Sequence, residues 1–226
     1  METQAFCIDE CGRGCLWGPV VAATVVLPAT CPENSPLWNK IRDSKKVSEK
    51  QMPILAAYIK RIALTYGVGY VSAADVDRYN ILQATMRAMH LALDQAWNRW
   101  NPETAGARPS MIWVDGTTFN PYMPPLLPGA DAREAEFMEF ELFPHGDANV
   151  HGIAAASIVA KADRDAWVVA QAAEDPTLAP YQLHKNKGYG TAMHMRALKY
   201  VGPHALHRFS FAPVKAEEAA RSHDLV

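Results

Sequence analysis

Two adjacent acids, Asp9 and Glu10, end a short apolar segment and run almost directly into Gly-Arg-Gly at residues 12–14. The segment from Ala5 to Asp9 predicts a first strand and the glycines predict a turn, so the acids lie on a strand-to-turn edge. A pair of carboxylates beside apolar surface is costly unless a positive charge lies next to it. The chain must therefore fold so that something positive reaches the end of its first strand.

Two further acids stand in comparable surroundings. Asp115 ends Met-Ile-Trp-Val-Asp and Asp147 ends His-Gly-Asp, and each closes a hydrophobic or aromatic run where a strand should stop. Magnesium and manganese prefer hard oxygen ligands, so four such carboxylates suggest a divalent-cation site of the kind that assists phosphodiester cleavage. For any one acid, capping a helix or pairing with a basic segment is an alternative.

Composition sets the class of protein. The chain has 226 residues, 49% of them hydrophobic, which is enough to bury a core as one domain, with or without a small C-terminal appendage. No apolar stretch approaches the roughly 20 residues that a membrane-spanning helix needs. Met-Glu-Thr-Gln at the N-terminus does not begin a signal peptide. We therefore expect a cytoplasmic protein that does not associate with membranes.

The charge is unevenly distributed. The formal net charge of -2 argues against indiscriminate attraction to nucleic acid. Basic side chains nevertheless crowd residues 40–50 and 185–215, while residues 131–141 form an acidic run. The two basic segments suit the walls of one groove, although composition alone favours solvated helix and loop faces.

The cysteines invite a metal-cluster interpretation because Cys7, Cys11 and Cys15 repeat at every fourth position, with Cys31 downstream. The two-residue spacing of common zinc and iron-sulfur motifs is missing, however. We therefore interpret the first cysteines as part of a strand and turn and not as metal ligands. A cysteine-cluster binding module stays an alternative that zinc content or visible absorbance would test, and a cytosolic location disfavours disulfides.

Hydrophobic periodicity predicts strands alternating with helices. Strands are expected at 5–9, 20–27, 65–71, 110–115 and 137–143, and helices at 48–63 with Ser48 as N-cap, after Ser72, at 81–100, at 153–173 and after Thr191. The core face of the 81–100 helix is expected to carry Leu82, Met86, Met89, Leu93 and Trp97. Residues 121–128, rich in proline, predict a loop. Because short turns join the early strands, the order favours a mixed sheet with helices on its faces.

Five motifs occur in one order along nearly the whole chain. They are Asp-Glu-Cys-Gly-Arg-Gly at 9–14, Asp-Ser-Lys-Lys at 43–46, Ile-Ala-Ala-Ala-Ser-Ile-Val-Ala-Lys at 153–161, Lys-Gly-Tyr-Gly-Thr at 187–191 and Ser-Phe-Ala-Pro-Val-Lys at 210–215. With them the chain strongly resembles the type 2 ribonuclease H family, RNase HII. The resemblance implies an α/β fold: an RNase H-like mixed sheet flanked by helices, with a small C-terminal helical extension. It also implies a catalytic domain at 1–175 and a substrate-contacting extension at 176–226, together forming one structural unit.

The same resemblance implies a function. A type 2 enzyme hydrolyses the RNA strand of RNA/DNA hybrids and incises DNA 5' of embedded ribonucleotides, leaving 3'-hydroxyl and 5'-phosphate ends. By resemblance, Asp9, Glu10 and Asp115 bind Mg²⁺ or Mn²⁺ directly, and Asp147 completes the site for a second ion and for water. The expected partners are RNA/DNA hybrids and DNA duplexes containing ribonucleotides, bound by a monomer.

Several other residues are expected to contact the substrate. The candidates are Gly12, Arg13 and Gly14 in the first turn, Ser44, Lys45 and Lys46 in a phosphate-contacting loop, and Tyr189, which matches the family tyrosine that packs on the sugar beside the ribonucleotide. Glycine permits close backbone approach, and arginine binds phosphate well. Lys161, Lys185 and Lys187 are weaker candidates, and the histidines His145, His184, His204 and His207 are expected to be structural or solvated.

Some features leave alternatives open. Asp163 and Asp165 compete for the role of fourth acid, although pairing with Arg164 or Lys161 in a helix explains them. Asp43 and Asp75 are expected to be turn and cap residues. Phe209 stands where the family often has a second arginine, and residues 121–136 look like an insertion of unknown purpose. Type 3 ribonuclease H is the nearest alternative, but a motif starting at residue 9 favours type 2. A noncatalytic hybrid-binding protein altered at its cysteines and Trp17 is disfavoured because all four acids remain.

Overall fold

The computed structural model describes residues 4–32, 34–42, 44–126, 131 and 135–223. Its strands are β1 Phe6–Cys11, β2 Val20–Val26, β3 Thr65–Val71, β4 Met111–Asp115 and β5 Glu139–Phe143. Its α-helices are α1 Met52–Ile62, α2 Ala73–Tyr79, α3 Ile81–Arg99, α4 Pro102–Ala105, α5 Gly146–Asn149, α6 His151–Glu174, α7 Leu183–Asn186, α8 Ala192–Val201 and α9 Ala212–His223. Short 3-10 helices occur at Trp38–Lys40, Ser44–Lys46 and Pro176–Tyr181.

The strands form the mixed sheet that the sequence predicts. Its order is β3-β2-β1-β4-β5, with β1 antiparallel to β2 and parallel to β4, and with β4 parallel to β5. In the parallel pair, Ile8 lies opposite Val114. The next residues along β1 and β4 are Asp9 and Asp115, so the register brings two of the predicted acids to neighbouring positions on adjacent strands.

The contacts of the chain group it into two compact units. The first comprises the described parts of Met1–Cys11, Val21–Tyr70 and Met86–Ala162, and the second those of Gly12–Val20, Val71–Thr85 and Asp163–Val226. The four predicted acids belong to the first unit, while the Gly-Arg-Gly turn and Tyr189 belong to the second. The predicted division after residue 175 stays a prediction.

The core of the first unit depends on small residues at close approaches. Ala154, Ala155 and Ala156 of α6 are buried in a cluster with the valines of β2 and the apolar side chains of α1. At Gly67 of β3, an added Cβ would lie 2.0 Å from the carbonyl oxygen of Ala92 on α3. Only glycine therefore permits the observed contact of β3 with α3.

The second unit is built around Trp17. Its ring centroid lies 5.5 Å from that of Trp167, and buried apolar residues surround it. These are Leu16, Val168, Leu178, Tyr181, Leu183, Ala197, Leu198 and Val214. Trp17 was considered as a divergent site residue, but its side chain is fully buried. The tryptophan is a core residue.

Most predicted elements are confirmed, and the differences have physical causes. The first strand continues to Cys11 instead of ending at Asp9, because the antiparallel pairing with β2 extends through Cys11 and Val21. Ser48 is not an N-cap: α1 begins at Met52, and the Ser48 carbonyl accepts the amides of Gln51 and Met52 in a preceding turn. The predicted cap at Ser72 is confirmed, since its hydroxyl accepts the Asp75 amide at 3.1 Å.

Two further predictions need correction. In the long helix α3, Met86, Met89 and Leu93 are buried as predicted, but Leu82 is 38% exposed. Asp147 does not end a strand, because it lies in the first turn of the short helix α5. The predicted loop at 121–128 is irregular as far as residue 126, and Pro128 lies outside the described residues, as does Asp43.

The loop contains one anchored residue, Tyr122. Its hydroxyl donates to Asp94 at 2.8 Å, and its carbonyl accepts the Met138 amide at 2.9 Å.

Among the described residues, every helix is too short or too polar to cross a lipid bilayer.

Candidate active site

Asp9 is the most buried of the predicted acids. Its side chain lies near the end of β1, 4% of the residue is exposed, and its Oδ1 accepts the Glu10 amide at 2.7 Å. Burial raises the pKa of Asp9 well above its usual range, and the negative charges of Glu10 and Asp115 raise it further. A hydrogen bond from Ser157 opposes the shift. The site therefore holds a carboxylate whose charge is poorly compensated by the protein itself.

Asp115 is held by backbone amides. Its Oδ1 accepts the amide of Gly146 at 2.6 Å and that of Asp147 at 3.3 Å. His145 adopts left-handed backbone angles, with φ 59°, immediately before α5 and so turns these two amides toward β4. An added Cβ at Gly146 would lie 2.7 Å from Ile153 Cδ1 and 3.3 Å from Asp115 Oδ1. The glycine is required for α5 to close on Asp115.

Asp147 is paired with a lysine from the Ser44–Lys46 turn. Lys45 Nζ lies 3.0 Å from Asp147 Oδ2, and the side chains are 79% and 7% exposed respectively. A buried carboxylate is thus compensated by a cation whose stem is largely in solvent. Such a lysine can leave the carboxylate at little cost when another cation arrives.

The same turn is connected to Asp9 through two serines. Ser44 and Ser157 are both buried, and their hydroxyl oxygens lie 2.9 Å apart. Ser157 also hydrogen bonds to the Asp9 carboxylate. A continuous polar contact therefore runs from the 44–46 turn to the end of β1. Ser157 is a functional candidate that the sequence did not reveal, because a serine among alanines in a helix carries no signal of its partner.

The acids fit a hard divalent cation in donor type and in charge. Asp9, Glu10 and Asp115 interact electrostatically, and Asp147 follows the amide that binds Asp115. Within the described ranges, however, no set of three or more His, Cys, Asp and Glu side chains is already close enough to hold a metal ion. The carboxylates are gathered in one region, but they do not form a closed cage.

In the second unit, the Gly-Arg-Gly turn is built on buried arginines. Gly12 has φ 88°, and an added Cβ there would lie 2.1 Å from Arg164 Nε. Arg164 is fully buried and donates to the carbonyls of Pro19 at 3.0 Å, Lys187 at 2.8 Å and Trp17 at 3.1 Å. Gly14, in contrast, has ordinary backbone angles and open space around it. Conformational need explains Gly12 but not Gly14.

Arg208 completes this support. It is fully buried and donates to the carbonyls of Arg13 at 2.9 Å and Gly18 at 3.0 Å. The backbone of Arg13 is thereby fixed while the residue itself is exposed. Tyr189 forms an isolated bridge with Cys15 and is 39% exposed, with its ring 5.9 Å from the Arg164 guanidinium carbon. The second unit thus presents Arg13 and Tyr189 at its surface.

The sequence match now decides the family. The family model described as Ribonuclease HII matches residues 6–214. The chain belongs to the ribonuclease HII family. It is therefore a type 2 ribonuclease H, an endonuclease that acts on the RNA of RNA/DNA hybrids.

Curated relatives named Ribonuclease HII match over most of their length. The relative from Oleidesulfovibrio alaskensis is 39% identical over 225 residues, which covers 96% of this chain and 82% of the relative. The relative from Erythrobacter litoralis is 40% identical over 216 residues, covering 96% and 91%. The residues matched by the family model include the first four motifs and all of the fifth except Lys215.

Solved structures confirm the fold. Ribonuclease H2 from Pyrococcus horikoshii has a TM-score of 0.68 at 20% identity, covering 96% of this chain and 98% of that chain. Bst-RNase HIII in complex with Mn²⁺ has a TM-score of 0.67 at 18% identity, covering 98% and 71%. The RNase HII of a PCNA complex from Archaeoglobus fulgidus scores 0.58 at 22% identity, covering 93% and 95%. The predicted RNase H-like α/β fold is confirmed.

Three other residues considered in the sequence of this ribonuclease HII have defined contacts in the structure. Asp165 lies 3.9 Å from the Arg164 guanidinium, as its predicted pairing requires. Phe209 replaces the second arginine, and its amide donates at 2.8 Å to Asp77, which also binds Ser210. His207 is buried and structural as expected, but its partner His194 was not anticipated.

The cysteine-cluster alternative receives no support. Cys7, Cys11, Cys15 and Cys31 are all thiols that form no disulfide with the described residues, and Cys7 and Cys15 are buried. Gly152 packs directly against Cys7, since a Cβ added at Gly152 would lie 2.4 Å from the Cys7 sulfur. Burial raises the pKa of the Cys7 thiol to about 12. Such a thiol packs as a small apolar side chain.

Lys187, a weaker candidate for a substrate contact, donates through its ammonium to the His184 carbonyl, so its side chain has a structural contact.

Proposed function

We propose that this ribonuclease HII also incises duplex DNA on the 5' side of a single embedded ribonucleotide, leaving 3'-hydroxyl and 5'-phosphate ends. The observation that carries the catalytic part of the proposal is the burial of Asp9 among like charges, with its pKa raised by desolvation, Glu10 and Asp115. A protein keeps such an uncompensated group where a cation or a developing charge is to be bound. The recognition part of the proposal is supported by the exposed Arg13 and Tyr189.

Asp9, Glu10, Asp115 and Asp147 are the residues that would hold Mg²⁺ or Mn²⁺. Divalent-metal dependence is typical of the family, and carboxylate oxygens are the donors these ions prefer. A bound divalent ion supplies charge neutralisation and activation of water for in-line attack on the phosphodiester. The protein contributes rigidity, because backbone amides hold Asp115 and Ser157 holds Asp9.

Substrate contacts are assigned to two sets of groups, each of which has exposed members. Arg13, Gly14 and the backbone of the buried Gly12 suit a sugar-phosphate backbone, with open space only at Gly14. Ser44, Lys45 and Lys46 suit another phosphate. Tyr189 supplies an exposed ring for the sugar next to the ribonucleotide. Because a ribonucleotide differs from its neighbours by one 2'-hydroxyl, close backbone approach is needed to recognise it.

We further propose that the enzyme acts as a monomer in the cytoplasm. Size-exclusion chromatography with light scattering tests the oligomeric state. A stable dimer would contradict that part of the proposal without affecting the reaction.

The decisive experiment is cleavage of a DNA duplex that contains one ribonucleotide. All-DNA duplex and uniform RNA/DNA hybrid serve as controls, each in Mg²⁺, Mn²⁺ and chelator. The expected result is one nick 5' of the ribonucleotide, dependent on metal, with a 3'-hydroxyl end that a polymerase extends. Cleavage of the hybrid without any nick at the single ribonucleotide would contradict the incision proposal.

Substitution of the acids tests the site. Asp9→Asn and Asp147→Asn should each lower kcat by at least about 100-fold, since each removes a negative charge from the set that would hold the metal ion. Binding of the duplex should survive. Asp75→Asn is the matched control, because Asp75 is a half-buried acid of the first turn of α2 whose partner is the cap residue Ser72. Near-normal turnover of either site variant at matched folded concentration would refute the assignment.

A further inference from the structure

Two buried histidines are in direct contact in the second unit. His194 and His207 are 0% and 1% exposed, and their Nε2 atoms lie 2.9 Å apart. The ring of Tyr181 closes over the pair, with centroid distances of 5.8 Å to His194 and 4.9 Å to His207. Two ring nitrogens at this distance form one hydrogen bond, so one of them carries the proton and the other accepts it.

The surrounding groups fix which nitrogen carries each proton. The backbone amide of His204 donates to His207 Nδ1 at 2.8 Å, so this nitrogen is an acceptor. His207 therefore carries its proton on Nε2 and donates it to His194 Nε2. The proton of His194 is left on Nδ1, which lies 3.0 Å from the carbonyl oxygen of Tyr189.

The alternative arrangement is excluded by the same contacts. His207 Nδ1 also lies 3.2 Å from the His204 carbonyl, but a proton there would face the His204 amide hydrogen at a nitrogen separation of 2.8 Å. Burial lowers the pKa of both rings, that of His207 to about 3. Both histidines are therefore neutral near pH 7, and the hydrogen-bond direction runs from His204 through His207 and His194 to Tyr189.

The end of this chain is the residue proposed to recognise the substrate. The Tyr189 carbonyl also accepts the Thr191 amide at 2.8 Å, and the Tyr189 amide donates to the Asn186 carbonyl at 2.9 Å. The backbone of Tyr189 is thus held on both sides while its side chain is partly exposed. The Tyr189 side chain has few rotatable bonds, so the position of its backbone limits where the ring can lie.

We propose that His194 and His207 are positioning residues for substrate recognition, which fix the Tyr189 backbone so that its ring meets the sugar beside the ribonucleotide. His194 acts through its Nδ1 proton, and His207 acts by setting the tautomer of His194. The inference rests on the proposed function, since Tyr189 is a substrate contact only there.

Two substitutions at His194 separate positioning from packing. The amide nitrogen of asparagine lies as many bonds from Cα as Nδ1, so His194→Asn retains a donor for the Tyr189 carbonyl. The amide nitrogen of glutamine corresponds instead to Nε2, so His194→Gln loses that donor. Glutamine is the better helix former, and α8 contains this position, so a merely structural role predicts that His194→Asn is the more damaged variant.

The measured quantity is the ratio of kcat/KM on a duplex with one ribonucleotide to kcat/KM on a uniform hybrid. We expect His194→Gln to lower this ratio by about 3- to 10-fold, the effect of one lost hydrogen bond, and His194→Asn to lower it by less than about 2-fold. In a Tyr189→Ala background the effect of His194→Gln on the ratio should vanish, while its effect on Tm persists.

The outcomes distinguish a failure of the positioning role from a failure of the proposed function. Equal ratios for the two His194 variants, or an effect of His194→Gln that persists without the Tyr189 ring, would overturn the positioning role and leave the proposed function intact. An unchanged ratio in Tyr189→Ala alone would remove Tyr189 from the proposed substrate contacts, and the positioning proposal would fall with it.

Discussion

Lys45 Nζ lies 3.0 Å from Asp147 Oδ2, so a largely exposed cation compensates a buried carboxylate of the proposed metal site. The pair couples the proposed phosphate loop to the proposed metal ligands. A metal ion and Lys45 both require the same carboxylate, whereas a substrate phosphate requires Lys45.

Replacing Lys45 should therefore have opposite effects on metal and substrate. Lys45→Met removes the competing cation, so the Kd for Mn²⁺ should fall by about 2- to 5-fold, the range of a mostly exposed ion pair. The KM for the duplex should rise because a phosphate contact is lost. Isothermal titration with Mn²⁺ and steady-state kinetics measure the two effects. Lys50→Met, at an exposed lysine nearby in sequence, is the control that should change neither, and weaker Mn²⁺ binding by Lys45→Met would contradict the competition.

The buried serines give a second prediction. Ser157→Ala should lower the free energy of unfolding by about 1–3 kcal/mol, because a buried carboxylate and the Ser44 hydroxyl both lose a partner. Ser44→Ala should add little in that background, since the contact is already broken. Thr24→Val is the control, because Thr24 is buried and its hydroxyl makes no hydrogen bond with the described residues. Additive losses from the two serine variants in urea denaturation would argue against the connection.

Because the charge of Asp9 is poorly compensated, we expect removal of this charge to stabilise the metal-free protein while it abolishes activity. In Asp9→Asn the amide side chain keeps an oxygen for the Glu10 amide but carries no charge, so this variant should unfold at higher temperature than the parent when a chelator is present. Each gain of about 1 kcal/mol corresponds to about 2–4 °C for a chain of this size. Saturating Mg²⁺ should reverse the order, because only the parent is stabilised by binding. A lower Tm for Asp9→Asn in chelator would contradict this account.

The histidine pair makes stability depend on acid pH. The pKa of His207 falls from its ordinary value of 6.5 to about 3 in the fold, so between these values the unfolded chain binds a proton that the folded chain does not. The contribution of His207 to stability therefore decreases as pH falls below about 6.5, with a slope of about 1.4 kcal/mol per pH unit for one proton. His207→Gln should show a shallower slope between about pH 6 and pH 4.5 in chemical denaturation, because one titrating group fewer contributes. Parallel slopes would show that His207 does not contribute.

Much of the fold follows from local patterns in the sequence. The alanine-rich helix α6, the valine-rich strand β2 and the capping pair Ser72 and Asp75 all lie within one or two residues of their predicted positions. The end of β1 lies two residues beyond its predicted position, because it is set by pairing with β2, which no local pattern contains. The same holds for Ser48, since a serine before an apolar run caps a helix only if the chain does not first make a tighter turn.

The candidate site divides in a similar way. Its acids stand in motifs and could be predicted, but the groups that hold them could not. Arg164, flanked by two aspartates, has the sequence of a surface ion pair, yet its guanidinium is buried against three backbone carbonyls. Such contacts join residues that are far apart in the chain, since Arg164 follows Pro19 at a separation of 145 positions, and they depend on tertiary packing alone.

The two glycines of the Gly-Arg-Gly turn should respond differently to alanine. At Gly12, with φ 88°, a methyl group would both strain the backbone and displace the buried Arg164, whose Nε would be 2.1 Å away, so Gly12→Ala should cost about 3–5 kcal/mol. At Gly14 the space is open and the backbone ordinary, so Gly14→Ala should change the free energy of unfolding by less than about 0.5 kcal/mol. If the turn approaches the substrate backbone, Gly14→Ala should nevertheless raise the KM for the single-ribonucleotide duplex. Urea denaturation and steady-state kinetics on both variants check this, and a Gly14→Ala enzyme with parental KM would show that only Gly12 is required, and that its requirement is structural.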